Sequence, residues 1–244
     1  MARLLCLGIE SPGEYIQCLM FAERFRHIEH CILGACERSG RRREDVTLIV
    51  VTKTQSAERI NAVLDAGYHE IGENRVQEYL AKREFLHPHR FHLIGHLQRN
   101  KVKSIISQVA LIHSVDSTAL ADEIDRCSNQ SGIICDVLLE VNSSSESSKF
   151  GVSPEAVPAL AAHIVHLKHV RLRGLMTVAE WVVDPETLRP AFRMMRDLRD
   201  NLAILYPEQT ISELSMGMTN DFEIAIEEGA TLIRVGSAIF GPRA

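Results

Sequence analysis

The chain has no C-x-x-C pair, and its six cysteines, at 6, 18, 31, 36, 127 and 135, follow no regular spacing. That pattern excludes a disulfide framework and a cysteine-based metal knuckle, leaving small apolar residues of a reducing compartment. No stretch approaches the roughly 20 apolar residues that a membrane span needs. The N-terminal apolar run, residues 4–9, is shorter than a signal-peptide core of about 7–15 residues. A cytoplasmic protein without membrane contact is expected. Positive charge is not in excess either: the net charge is -5, which argues against a general nucleic-acid binder. The one dense basic run, Arg41-Arg42-Arg43, is followed at once by Glu44-Asp45 and reads as a solvated loop. No Pro/Gly/Ser-rich linker divides the chain, so one domain is expected. Residues 143–148 are polar but fall where a loop belongs.

What is present is an ordinary globular balance, 45% hydrophobic and 24% charged, over 244 residues. A chain of that length buries about three quarters of its unfolded surface and needs no staple. Apolar residues recur at helical spacing over 14–38. Thereafter strand-like runs at 46–52, 69–71, 91–95, 110–113, 133–142, 170–175, 211–214 and 231–235 alternate with helical segments at 57–66, 74–84, 98–106, 117–129, 154–166, 185–205 and 219–228. Several of these strands, such as 133–141, are near-continuous apolar runs, as in parallel sheets covered on both faces. Strict alternation implies right-handed crossovers and an α/β fold. Eight strands close a single (β/α)8 TIM-type barrel, with an extra N-terminal helix before the first strand. No segment after residue 235 is long enough for an eighth helix, so the first helix is expected to cover that gap. A doubly wound open sheet is the competing architecture.

Functional groups of such barrels gather at the C-terminal strand ends. Lys53 closes the first strand, and its ammonium must be solvated, paired or used. A lysine of lowered pKa is a nucleophile toward carbonyls, although an ion-paired structural lysine is an equal alternative there. Ser215-Met216-Gly217 and Gly236-Ser237 follow strands seven and eight, where phosphate sites of these barrels commonly form. Glycine lets backbone N–H groups approach an anion, and serine adds a donor. Arg234 lies just before, within the last strand. A lysine on one wall and a phosphate pocket on the other suit a phosphorylated aldehyde and a phosphorylated sugar equally well.

The segments Val50-Val51-Thr52-Lys53-Thr54, Ile71-Gly72-Glu73-Asn74-Arg75-Val76-Gln77-Glu78 and Phe91-His92-Leu93-Ile94-Gly95-His96-Leu97-Gln98-Arg99-Asn100-Lys101 resemble the pyridoxal phosphate homeostasis protein family. So do Ser147-Ser148-Lys149, Arg173-Gly174-Leu175-Met176, Leu214-Ser215-Met216-Gly217-Met218 and residues 234–241. The resemblance covers about residues 18–243 in order, and leaves 1–13 as a variable extension before a domain of 14–244. It implies a fold similar to the N-terminal domain of alanine racemase and pyridoxal 5'-phosphate (PLP) as cofactor. It further implies that Lys53 carries the aldimine, Arg234 faces the pyridine nitrogen, and Ser215, Gly236 and Ser237 hold the phosphate. Asn74 and Met176 would line the ring or its polar edge. An arginine at that nitrogen weakens the ring as an electron sink, unlike the acidic partner of aminotransferases. Thr219-Asn220 after the Ser-Met-Gly-Met segment and Phe150 after Lys149 depart from the family pattern.

Racemisation needs a second acid/base opposite the lysine, and Tyr15, Tyr68, Tyr79 and Tyr206 fall in or beside helical segments. A non-enzymatic carrier acting in vitamin B6 and amino-acid homeostasis is therefore expected, as a monomer. PLP, and at most amino acids or PLP-accepting proteins, are its expected partners. A weak PLP-dependent racemase or lyase is the alternative, and a Schiff-base aldolase of a phospho-sugar the second. His87, His89, His92 and His96 crowd one region, but no carboxylate or cysteine neighbour completes a metal set; His96 falls near the expected cofactor. The arginines of 185–205 read as a solvated face, and Trp181 as a core or lid residue.

Overall fold

The computed structural model describes residues 12–144 and 150–241. The elements run α1 (Pro12–Ser39), β1 (Thr47–Val51), α2 (Ala57–Asp65), β2 (Glu70–Glu73), α3 (Val76–Lys82), β3 (Arg90–Leu93), α4 (Val102–Ile105), β4 (Val109–Val115) and α5 (Thr118–Ser131). They continue β5 (Cys135–Glu140), α6 (Val157–Ile164), β6 (Val170–Met176), α7 (Arg189–Leu205), β7 (Glu213–Ser215), α8 (Phe222–Glu227), β8 (Leu232–Val235) and α9 (Ser237–Phe240). Each strand pairs in parallel with the next, and β1 closes on β8 through Thr47↔Leu232 to Val50↔Val235. That last pairing excludes the open sheet.

Strand residues alternate between two cores. Ile233 and Val235 of β8 face outward into the shell packed beneath the helices. Leu232 faces inward, to a layer shared with Ile49, Leu111, Leu138 and Met176. Helix α1 packs on α8 and α9. Phe21 meets Phe240 edge to face at 5.6 Å, and Arg24 donates to the Ile239 carbonyl at 2.9 Å. Since α9 is a single turn, α1 supplies the cover that a full eighth helix would give. It begins at Pro12, inside the stretch expected to be an extension; residues 1–11 and the Ser147-Ser148-Lys149 segment lie outside the described residues. The segment 98–106, read as one helix, is a 3-10 turn at Arg99–Lys101 leading into α4.

Two surface readings need correction. Arg41 is half-buried and donates to the carbonyls of Ile226 (2.8 Å), Ala230 (2.7 Å) and Asp45 (3.1 Å), while Arg43 pairs with Glu29. After α1 the chain passes beneath α8, whose terminal carbonyls need donors. The arginines of α7 likewise converge: Arg189, Arg193 and Arg196 all reach Glu228, at 3.0–3.1 Å, a carboxylate only 5% exposed. Those cations hold Glu228 below the usual carboxylate range even though its burial opposes the shift. Arg41 and the α7 arginines both find partners at the C-terminal end of α8, which neither segment's own sequence displays.

Candidate functional site

The C-terminal ends of the strands open onto a cavity of about 380 Å³. Its walls bring together Lys53, Arg234, Gly236 and Ser237. Residues 218–221 join them from the connection between β7 and α8, and residues 179–182 from the segment after β6. Asn74, Met176 and Ser215 stand off these walls. Met176 is fully buried in the barrel's interior layer, and Ser215 is fully buried beneath Arg234. Asn74 is half-buried at the end of β2, and its amide oxygen is buried without a hydrogen-bond partner.

Arg234 points inward because it shares the inner face of β8 with Leu232, two residues earlier. It is only 4% exposed. Its guanidinium donates to Ser215 Oγ at 2.6 Å and to the Thr177 carbonyl at 2.8 Å. Burial lowers its pKa to about 10, which Asp221 and Glu140 oppose, so it stays a cation at neutral pH.

Below Arg234 a chain of hydrogen-bonding contacts runs through the barrel, and with both histidines neutral its direction follows from the acceptor-only Glu70 carboxylate at the far end. Ser215 Oγ accepts from Arg234 and, in that neutral arrangement, donates its own hydrogen to His113 Nδ1, 2.9 Å away. His113 then carries its proton on Nε2 and donates to His92 Nδ1 at 3.0 Å. His92 in turn donates from Nε2 to Glu70 at 2.6 Å. Burial, then the nearby His92 and Arg234, push the His113 pKa well below its usual value, in keeping with the neutral tautomer this order demands. The barrel interior is thus crossed by one polar file, from the cavity to the opposite mouth where Glu70, Arg90, Asp136, Arg173 and Glu213 gather. Sequence reasoning missed this file. The available signal was a histidine at an inward position of an otherwise apolar strand, in Phe91-His92-Leu93 and again in Leu111-Ile112-His113.

The wall built from the ends of β7 and β8 depends on close backbone packing. A Cβ on Gly236 would lie 3.1 Å from the Val51 side chain and 3.2 Å from its carbonyl oxygen. Gly217 has φ +93, and a Cβ there would meet Ala225 Cβ at 2.7 Å, so this turn accepts glycine alone. Past Gly217, the Met218 N–H donates to Asp221 at 2.5 Å, and Ser237 Oγ lies 3.0 Å from Thr219 Oγ1. Two hydroxyls therefore stand side by side on the cavity wall. Trp181 is 78% exposed at the rim, which rules out a core role.

Glu140, at the end of β5, is 7% exposed, and one of its carboxylate oxygens has no hydrogen-bond partner. Burial and then Asp116 push its pKa up to about 7 against the pull of Arg234. The four crowded histidines take separate partners: His87 meets Asp65, His89 meets Tyr79, His92 joins the interior file and His96 meets Asp116. The His96 ring also stacks on Phe150 at 4.3 Å, beside the loop after β5.

Comparison with known proteins yields a consistent set. The family described as alanine racemase, N-terminal domain, matches residues 35–244. A pyridoxal phosphate homeostasis protein of Aquifex aeolicus is 44% identical over 223 residues, which cover 91% of this chain and 97% of that one. PipY of Synechococcus elongatus PCC7942, solved with PLP bound, aligns with a TM-score of 0.80 at 34% identity, over 91% of this chain and all of that one. Alanine racemase of Clostridium difficile 630 shares the fold at 14% identity, with a TM-score of 0.70 over 91% of this chain and 57% of the enzyme.

Proposed function

The chain belongs to the pyridoxal phosphate homeostasis protein family, within the alanine racemase N-terminal domain family, and on that premise we propose that its barrel mouth binds PLP with Lys53 as the holding amine. The observation that carries this reading is the single cavity with Lys53, Arg234, Gly236 and Ser237 on its walls. PLP supplies an aldehyde, which condenses with a primary amine and releases its oxygen as water.

The residues fit that group. Lys53 presents a primary amine on one wall. Beside it, at the end of the neighbouring β8, Gly236 lets the backbone come close, and the Ser237 and Thr219 hydroxyls supply donors for phosphate oxygens. Arg234 brings a permanent cation and only N–H donors, so a ring nitrogen facing it acts as acceptor and stays unprotonated. Ser215 works one step back: it accepts from Arg234 and fixes its orientation. Met176 packs beneath the cavity in the same supporting role. The partnerless Asn74 oxygen is an acceptor that a ligand donor would satisfy.

The same walls favour a carrier over an enzyme. Their titratable groups among the described residues are Lys53, Glu180, Asp221 and Arg234, with no tyrosine or histidine to exchange a proton opposite the lysine. Tyr79 is instead stacked on Phe91, and Tyr68 on Phe25. The protein then works as a monomeric PLP carrier in vitamin B6 and amino-acid homeostasis. A cytoplasmic setting suits the free thiols of Cys31, Cys36, Cys127 and Cys135.

The test is the absorbance spectrum of the protein with added PLP, beside Lys53→Ala. A visible band in the wild type that borohydride abolishes, with PLP mass left on the peptide holding Lys53 and nothing on the variant, is expected. A wild type without the band, or a variant that keeps it, overturns the assignment. Formation of a D-amino acid by the loaded wild type would overturn the carrier reading alone.

A further inference from the structure

The Gly72-Glu73-Asn74-Arg75-Val76-Gln77-Glu78 segment places no side chain on the cavity wall, yet it converges on the turn that carries Lys53. That turn spans Thr52 to Gln55 and closes through Gln55 N–H to the Thr52 carbonyl at 3.1 Å. Lys53 and Thr54 are its central residues. Thr54 has φ +65, the one positive φ at a non-glycine among the described residues. The third position of a type II turn demands such an angle and normally takes glycine. A β-branched residue held there is strained, and strain of this kind persists only when the surroundings impose it.

The surroundings are a buried ionic cluster from β2 and α3. Lys82, 9% exposed, pairs with Glu73 at 2.5 Å and with Glu78 at 3.2 Å. Its ammonium also donates to the Thr52 carbonyl at 3.0 Å and to the Gln55 carbonyl at 3.5 Å, the two ends of the turn. Glu73, fully buried, accepts from the Thr52 hydroxyl at 2.5 Å. Glu78 accepts from the Thr54 N–H. Thr52, Thr54 and Gln55 are each tied down by this cluster through backbone or hydroxyl, and Lys53 stands between them on the cavity wall. A buried ion pair is by itself weak support for stability and is replaceable by apolar residues. This one instead directs its donors and acceptors at a strained turn.

We propose that Lys82, with Glu73 and Glu78, is a positioning residue: the cluster holds Thr54 in its left-handed conformation and so aims the Lys53 amine at the cofactor. The inference rests on Lys53 being the PLP lysine. Without the clamp the turn relaxes at Thr54, and the aimed state becomes a minority that the cofactor must select.

The experiment compares Lys82→Met, Thr54→Gly and the double variant, with PLP affinity read from the visible band and folding from circular dichroism and melting. Lys82→Met should weaken PLP binding roughly ten- to a hundredfold, the population cost of one strained residue. Thr54→Gly alone, which also removes a side chain from the cavity wall, sets the reference affinity for the double variant. The double variant should regain most of the loss, because glycine adopts positive φ without help. A merely structural ion pair would give no such rescue. Should Lys82→Met not fold, Glu78→Ala on the half-exposed face of α3 replaces it, with a smaller loss and the same rescue. Deuterium uptake by the peptide holding residues 52–55, in the protein without PLP, should quicken in both clamp variants. A folded Lys82→Met that binds PLP like the wild type, or a loss that Thr54→Gly leaves untouched, overturns the proposal. A wild type without the visible band defeats the Lys53 reading instead, and the uptake data still judge the clamp.

Discussion

Glu140 should make this protein less stable as the pH rises through neutrality. Burial, with Asp116 adding to it, raises its pKa from 4.5 to about 7, and one carboxylate oxygen lacks a partner. The folded state therefore holds the proton more tightly than the unfolded chain does. With the folded pKa raised, the stabilising contribution is complete below about pH 4.5, the unfolded value. It is lost as pH climbs through the folded value near 7. A shift of that size is worth about 3 kcal/mol, a large share of a typical domain's stability. Glu140→Gln keeps the shape and cannot ionise. Urea unfolding of both proteins without PLP, at about pH 5 and about pH 8, should show the variant's advantage growing by about 2–3 kcal/mol between them. An advantage equal at both values would mean that Glu140 ionises at its ordinary pKa. The burial argument would then be wrong. Retention of so costly a carboxyl close to Arg234 agrees with the concentration of perturbed groups at functional sites.

Gly236→Val should narrow the gap to Val51, push its branches into the cavity and weaken PLP binding about tenfold or more without unfolding the barrel. Equilibrium titration of the visible band checks this, and unchanged affinity would remove Gly236 from the cofactor wall. Glu228→Ala should cost about 2 kcal/mol of stability, because Arg189, Arg193 and Arg196 lose their common acceptor but remain partly open to water. Urea unfolding should register that loss while PLP affinity stays put.

Apolar runs such as Leu48-Ile49-Val50 and Val137-Leu138-Leu139 announced buried strands because each is covered on both faces, and their alternation with helices made the barrel legible. Lys53 and Gly236-Ser237 reach the cavity wall as their position implies, since strand ends of a barrel must face its mouth. Met176 and Ser215 sit next to such ends, and only the sheet's stagger shows that they point below the cavity floor. The helix arginines were misread for a related reason. A helix displays its own charges in the sequence but not those of the neighbour that will meet them, and Glu228 lies more than thirty residues from each arginine it binds.

The sequence by itself determined the order of strands and helices, the barrel they close and the lysine at its rim, because burial and chain direction act on local patterns. Tertiary structure alone decided that Arg234, Ser215, His113, His92 and Glu70 form one hydrogen-bonded file, and that Lys82 holds the turn of Lys53. Both arrangements join residues from different strands and helices. Their partners are chosen by register and by the exclusion of water from the barrel interior, which no single segment encodes.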